Sequence, residues 1–570
     1  MSIKGSTDCK KILLALLPYW TPLVPAQGIA YLKVFLQKHG YKVKTVDANV
    51  EFQFRDIYQR YFNALKQYIP ESNWGNFYNI GHDVLRNHMM AHFNFKNGAG
   101  DKEEYNQLVK ILIYNTYFRH LEHQEFANLD AMIDLFYIEL ERYILHLLEQ
   151  EKPDVLGLTA HLGTLGAAMF SFQLAKERYP HILTVAGGTI FAGDLPLGSP
   201  DFERFLEKTP YIDKVIVGDG ETLFLKLLNG EFPGSQRVFT IKDINDRRMD
   251  INSIDLPDLS DFDLEPYPFN GAFISRSCPY QCKFCTVAGF FGKYRQKHIK
   301  RAVDQLEALY KRDGSQLFHM LDSLANPFMT ELAEEIIQRD ISLYMDFYMR
   351  VSDEVCDPEK THLWRRGGLY RARLGVETGS PRLLKLMGKG ITTDQSRASV
   401  RSLARAGIKT TTYFVIGFPG ETEEDFQQTL DFIEELKNDI WEMECNPFYY
   451  YHTGQINANK WSDKQMLLYP GYAKDLLISQ TWVLDCDPSR EERFRRIFRL
   501  EEHCKKLGIP NPYSTEEIYK ADERWKNLHE NAVPGLIEFQ DKGVYINENK
   551  FIKKLVMAQN SQEIEGDFLF

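Results

Sequence analysis

The chain has 570 residues, 44% of them hydrophobic, which is too long for one ordinary core and apolar enough to fill two to four domains. Its 68 Lys and Arg stand against 79 Asp and Glu, a net charge of −11 that argues against broad nucleic-acid binding. No window reaches the roughly 18 apolar residues of a membrane span, and Cys9, Cys356, Cys445, Cys486 and Cys504 lack the spacing of a disulfide framework; a cytoplasmic protein with no nucleic-acid and no membrane partner is expected.

In chain order, "KILLALLP" (11–18) reads as a strand, "YWTPLVPAQG" (19–28) as a Pro-rich loop, "IAYLKVFLQKHG" (29–40) as a helix ended by Gly40, and "YKVKTVDA" (41–48) as a second strand. This β-α-β start predicts a parallel sheet with helices on its faces. From about residue 50 to 152 apolar residues recur at three- and four-residue spacing, as in "LDAMIDLFYIELERYILHLLEQ" (129–150), which predicts a helical insertion. Strand–loop–helix order resumes at 154–160, 182–188 and 214–221, so residues 1–235 read as one interrupted α/β, Rossmann-like domain. Gly187, Gly188, Gly218 and Gly220 lie at strand ends, where glycine either lets backbone approach a flat ligand or only makes a tight turn. Residues 236–268 are rich in Asp and Pro and are expected to be a linker. Alternating strands and amphipathic helices over 269–445 predict a partial (β/α)6 barrel of the TIM type with its chemistry at the C-terminal strand ends. Residues 446–570 are expected to form a mainly helical extension, carrying Tyr449, Tyr450 and Tyr451 in "NPFYYYHTG".

The stretch "SRSCPYQCKFCTVAGFFGKYR" (275–295) places Cys278, Cys282 and Cys285 just after the first barrel strand, "GAFISRS". A zinc site would want a fourth ligand, and the nearest histidine, His298, stands without a paired partner. Three thiolates suit a four-iron, four-sulfur cluster that leaves one iron open to a small molecule. With Phe284 directly before the third cysteine, the motif resembles the signature of the radical S-adenosylmethionine (SAM) superfamily. "RLGVETGSPRLLKLMGKGITTDQ" (373–395) and "YFVIGFPGETEEDFQQTLDFI" (413–433) resemble its fourth- and fifth-strand segments. The resemblance implies that the open iron chelates the methionine end of SAM. It further implies that an electron from an external donor such as flavodoxin or ferredoxin leads to a deoxyadenosyl radical, which abstracts hydrogen from substrate.

Carried over by that resemblance, Phe284 packs on the adenine, Glu377 and Ser380 reach the ribose or amino group, and backbone at Ile416 and Gly417 pairs with the adenine edge. Phe284 also reads as plain core, while Glu377, directly after "LGV", would be a costly charge unless something polar met it. Asp322 ends the strand in "FHMLDSLAN" and reads either as a cofactor contact or, with Ser323 and Asn326 nearby, as a helix cap.

The first domain resembles the cobalamin-binding domain that precedes many radical enzymes of this superfamily, through "PAQGIAYLKVFLQKHGYKVKTVDANVE", "PDVLGLTAHLGTLGAAMFSFQLAKE", "VAGGTIF" and "VIVGDGETLF". The resemblance implies cobalamin contacts from Thr159, His161, Thr164, Gly187, Gly188, Gly218, Gly220 and Glu221. The Asp-x-His-x-x-Gly signature for a histidine ligand to cobalt is absent from residues 17–28, and His161 reads as a packing or tail-contact residue. The expected function is a cobalamin-dependent methyltransferase acting on an unactivated carbon of a natural product or peptide. The tyrosine cluster is expected near substrate, although a run of three tyrosines also fits a terminal strand alternating between core and surface. A radical cyclase, crosslinking or rearrangement enzyme that transfers no methyl is the alternative, and a non-catalytic cobalamin or redox sensor a more remote one.

Overall fold

The computed structural model describes residues 10–451, 455, 458–510 and 515–541. The chain divides into two compact units. The first takes the chain up to Ile69, Asn79–Leu264 and Leu467–Trp482; the second takes Pro70–Tyr78, Glu265–Met466 and the chain from Val483. Among the described residues no helix is long and apolar enough to cross a membrane.

The first unit is built on six strands, β1 (Lys11–Leu16), β2 (Lys42–Asp47), β3 (Val155–Thr159), β4 (Leu183–Gly187), β5 (Lys214–Ile216) and β6 (Val238–Phe239). They pair in parallel in the order β2-β1-β3-β4-β5-β6. Five of the six residues of β1 are buried, the continuous apolar run expected of a strand covered on both faces. The order reverses between β1 and β3, and in such sheets the crevice beyond the C-terminal strand ends is where ligands bind. The insertion is helical throughout: Phe52–Tyr68, Phe77–Lys96, Lys102–Tyr117 and His123–Glu151. Phe54, Phe62 and Phe136 are fully buried there, and the buried His88 and His92 share the Asp130 carboxylate at 3.3 Å.

The expected linker is only partly one. Val238 and Phe239 add a sixth strand, and the unit runs on to Leu264. Asp258 and Asp261 fix this segment by holding the buried Lys33 ammonium at 2.9 and 2.7 Å.

The second unit contains β7 (Asn270–Ala272), a short antiparallel pair β8 (Ser275–Arg276) and β9 (Arg295–Gln296), then β10 (Leu317–Met320), β11 (Tyr344–Arg350), β12 (Leu369–Glu377), β13 (Lys409–Ile416) and β14 (Glu442–Pro447). Six of these form one parallel sheet in the order β7-β10-β11-β12-β13-β14, with two ends, as a partial barrel requires. Alternation along the strands sorts the residues. Met345, Phe347, Leu374, Val376, Phe414 and Met443 are buried on one face, while His319, Asp346, Arg371, Arg373, Tyr413, Glu442 and Glu444 occupy the other.

The expected extension is divided: Leu467–Trp482 belong to the first unit, and its other described residues belong to this one. Helix Arg490–Lys506 brings Arg496 to Glu421 at 2.8 Å. Trp525, in helix Thr515–Leu528, donates to the Gly407 carbonyl at 3.2 Å. Residues 542–570 of the expected extension lie outside the described residues.

Candidate active site

The cysteine loop leaves the barrel between β8 and β9, and a buried carboxylate anchors its start. Asp322 accepts from the Ile274 amide at 3.0 Å, the Ser275 amide at 2.5 Å and the Ser275 hydroxyl at 2.6 Å. Full burial outweighs these bonds and pushes its pKa up to about 6. Ser277 turns the chain with φ of +73° and donates its hydroxyl to the Gly292 carbonyl at 2.6 Å. Beyond it Cys278, Cys282 and Cys285 are free thiols, all half-buried, with the Cys285 amide bonded to the Cys282 carbonyl at 3.1 Å.

Two cations attend these sulfurs. Arg350, at the end of β11, donates to Cys282 Sγ at 3.3 Å and lies over the Tyr280 ring at 4.4 Å. Asn326 clamps Arg350 by bonding its amide and its carbonyl, both at 2.8 Å. Lys389 is held by Glu377 at 2.5 Å, with its ammonium 5.7 Å from the Phe284 ring centre. Burial raises the Cys278 and Cys285 thiols above the usual range, and the charge of Lys389 opposes that rise at both. Among the described residues no group of three or more His, Cys, Asp or Glu could hold a metal ion. A cubane poses a different requirement, because its thiolates sit on separate irons rather than crowding around one. Three thiols on one short loop, flanked by cations that offset thiolate charge, fit such a cluster.

The structure places the remaining SAM candidates as follows. Phe284 is half-buried rather than core, and its carbonyl accepts from Gln455 at 3.0 Å. Asp322 caps no helix: the next one, Met329–Gln338, starts from Phe328, and the carboxylate instead braces the strand leading to the cysteines. Glu377 sits at the irregular end of β12 with φ of +72°, a conformation that non-glycine residues rarely adopt, and its polar partner is Lys389. Ser380, Ile416 and Gly417 each have partners within the protein. The Ser380 hydroxyl donates to Asp425 at 2.6 Å while accepting from the Leu383 amide at 3.2 Å as the N-cap of helix Pro381–Met387. The Gly417 amide is likewise taken, by Glu421 at 2.8 Å, and the Ile416 carbonyl accepts from the Phe448 amide at 2.8 Å. Gly417 has φ of +77°, and a Cβ there would overlap the Arg493 side chain. The glycine serves chain packing.

In the first unit, Thr159 closes β3, and His161 follows with its Nδ1 2.6 Å from the Thr189 hydroxyl and its ring stacked on Trp20 at 4.6 Å. Burial drives the His161 pKa down to about 4, so the ring is neutral. Thr164 accepts from the His161 amide at 2.9 Å and is turned inward. Glu221 is buried in the first turn of helix Gly220–Leu228. The glycines divide. Gly188, at φ of +113°, would drive a Cβ into the Ala160 backbone, which is the tight-turn reading, and a Cβ on Gly187 would make only an ordinary contact. A Cβ on Gly218 or Gly220 would meet nothing, so these two border open space.

Of the tyrosines, Tyr450 is buried and donates to Gln465 at 3.2 Å, Tyr451 is half-buried, and Tyr449 is exposed. They follow β14 rather than forming a strand. Gln455 ties this segment down by donating to the Tyr449 carbonyl at 2.8 Å as well as to Phe284. Arg350, Lys389 and Gln455 are the functional side chains that reading the sequence missed. Lys389 lies inside the quoted 373–395 segment, whereas nothing local marks the other two.

Residues 273–433 match the Radical SAM superfamily profile. The anaerobic magnesium-protoporphyrin IX monomethyl ester cyclase of Rubrivivax gelatinosus is 28% identical over 319 residues, 51% of this chain and 56% of the cyclase. The chain thus matches little more than half the length of that relative. Among solved structures, the radical SAM methyltransferase TsrM of Kitasatospora setae, bound to tryptophan and a SAM analogue, superposes with a TM-score of 0.56 at 12% identity, covering 96% of this chain and all of that one. The cobalamin-dependent radical SAM enzyme OxsB superposes at 0.53 with 14% identity, covering 98% and 76%. Residues 273–433 thus carry a Radical SAM domain, with the cysteine loop on its partial barrel, and the chain as a whole has the fold of the solved cobalamin-dependent radical SAM enzymes.

Proposed function

We propose that this chain is a cobalamin-dependent radical SAM methyltransferase acting on an unactivated carbon of a small-molecule or peptide substrate. The observation that carries the reading is the fold, which follows a methyltransferase over nearly its whole length, insertion included. The open cradle at Gly218 and Gly220, at the C-terminal edge of the parallel sheet, supports a corrin there. When bound, the cofactors supply one-electron cleavage of SAM and a transferable methyl group.

The chain's own residues do the holding. Cys278, Cys282 and Cys285 bind the cluster, Arg350 and Lys389 offset its negative charge, and Asp322 with Asn326 keeps the loop and Arg350 in place. Trp20 stacks on the His161 ring and Thr189 engages its Nδ1, and the signature that supplies a histidine ligand is absent from residues 17–28, so we assign no cobalt ligand to this residue. Reduced protein grown with cobalamin should then show a cobalt resonance without histidine nitrogen coupling. Tyr449, the exposed member of its cluster, is assigned to substrate positioning, so Tyr449→Phe should lower product yield at unchanged iron content.

The test of methyl transfer is mass spectrometry of products formed by anaerobically reconstituted protein from molecules encoded beside its gene. A gain of one methyl per turnover supports the reading, and a loss of hydrogen without methyl gain replaces it with ring formation. That second reading is favoured by the similarity to the cyclase.

A further inference from the structure

Among the described residues, the interior face of the partial barrel is charged, and most of its carboxylates are paired with arginines. Arg373 grips both oxygens of Asp346 at 2.7 Å. Arg371 pairs with Glu442 and donates to Thr411 at 2.8 Å. Glu444 is the next residue along the same face of β14, opposite Tyr413 in register, and its Oε2 is buried with no hydrogen-bond partner. A carboxylate oxygen removed from water without a donor is costly, and such groups in a site recur where a ligand supplies the donor.

Beside it stands an aromatic wall. Tyr348 on β11 is 37% exposed although it lies on the interior face, and its ring centre is 5.8 Å from that of Tyr413. The Tyr413 hydroxyl accepts from Arg373 at 3.2 Å, which fixes that ring. Arg373 also lies 5.4 Å from the Tyr348 ring centre, but its charge is neutralised by Asp346.

We propose that Glu444 is the substrate-selecting residue of this barrel, and that the substrate carries a protonated amine, bound by the Glu444 carboxylate, on a flat unsaturated body that lies against Tyr348. This rests on the barrel being the reaction site. An anionic group at this position would meet an uncompensated carboxylate, whereas an ammonium gains a charge-assisted bond and the faces of two rings.

The experiment uses the full chain with its cluster reconstituted and three probes that share an indole ring: tryptamine, 3-methylindole and indole-3-propionate. Ligand-observed NMR titration should find tryptamine bound at least about tenfold more tightly than either other probe. Glu444→Gln should erase the difference at matching iron content, and Glu444→Asp should keep part of it should the amide variant fold poorly. Equal affinities, a preference that survives Glu444→Gln, or no saturation by tryptamine at millimolar concentration overturns the assignment. Methyl transfer is read separately from product mass, so selection of the amine without methylation leaves this inference standing and defeats only the proposed reaction.

Discussion

At the scale of single residues, the cysteine loop depends on groups brought to it from other strands. Arg350 lies 68 positions from Cys282 in sequence yet donates to its sulfur. Hydrogen bonds to cluster sulfurs and nearby positive charge favour the reduced state. Arg350→Gln should therefore retain iron but show a more negative reduction potential, measured by titration with EPR detection; an unchanged potential would detach this residue from the cluster. Cys278→Ala, Cys282→Ala or Cys285→Ala should instead abolish iron incorporation. Cys356→Ala should not, because that thiol is engaged with the Gln395 carbonyl at 3.3 Å. Asp322 carries a pH signature. Its folded pKa of about 6 lies above the ordinary carboxylate value, so between pH 4 and 6 the folded state binds more protons than the unfolded one. Its contribution to stability falls as pH rises through that window and levels off above it. Relative to Asp322→Asn, the parent should lose about 1 kcal/mol of unfolding free energy between pH 5 and 7 in denaturant titrations.

At the scale of elements, the two kinds of turn glycine make opposite predictions. Gly417 is needed by the protein itself: a side chain would strain a positive φ and collide with Arg493. Gly417→Ala should cost about 2–4 kcal/mol and lower hydrogen-exchange protection in helix Arg490–Lys506. Gly220 has an ordinary φ and open space where its Cβ would be. Gly220→Leu should fold normally yet copurify with far less cobalamin, judged by the corrin absorbance per protein; undiminished corrin would place the cofactor elsewhere. These elements also show what could be read from the chain alone. The cysteine triad, the β-α alternation and the helical insertion are local patterns of spacing and periodicity, and the alternation and the insertion fold as read. Arg350 and Gln455 act on residues 68 and 171 positions away, a distance no local pattern encodes. Strand β6 was hidden because two residues leave no alternation to count, and their Asp- and Pro-rich surroundings read as loop. Ser380 and Gly417 were legible as a polar residue and a glycine at strand ends, but which partner takes the hydroxyl or the amide is decided by tertiary packing.

At the scale of the whole molecule, the first unit is not a continuous stretch, since it takes Leu467–Trp482 from the far end of the chain. Within that segment Ala473, Leu476, Leu477 and Ile478 are buried. Asn94 and Arg204 donate to the carbonyls of Leu476 and Ile478, both at 2.8 Å, and the Gln480 amide donates to Asp201 at 3.0 Å. Two leucines and an isoleucine at about 1.5–3 kcal/mol each amount to roughly 5 kcal/mol or more. That is comparable to the whole stability of an ordinary domain. Removing the segment also leaves the amide of Asn94 and the guanidinium of Arg204 without these acceptors, which adds to the loss. A fragment of residues 10–264 should accordingly lack a cooperative thermal transition by circular dichroism and bind a hydrophobic dye. The same fragment with residues 467–482 joined through a long Gly/Ser linker should melt cooperatively. Should the shorter fragment melt as sharply and at the same temperature as the longer one, the returning segment would be a passive cover, and the first unit would be a self-sufficient domain after all.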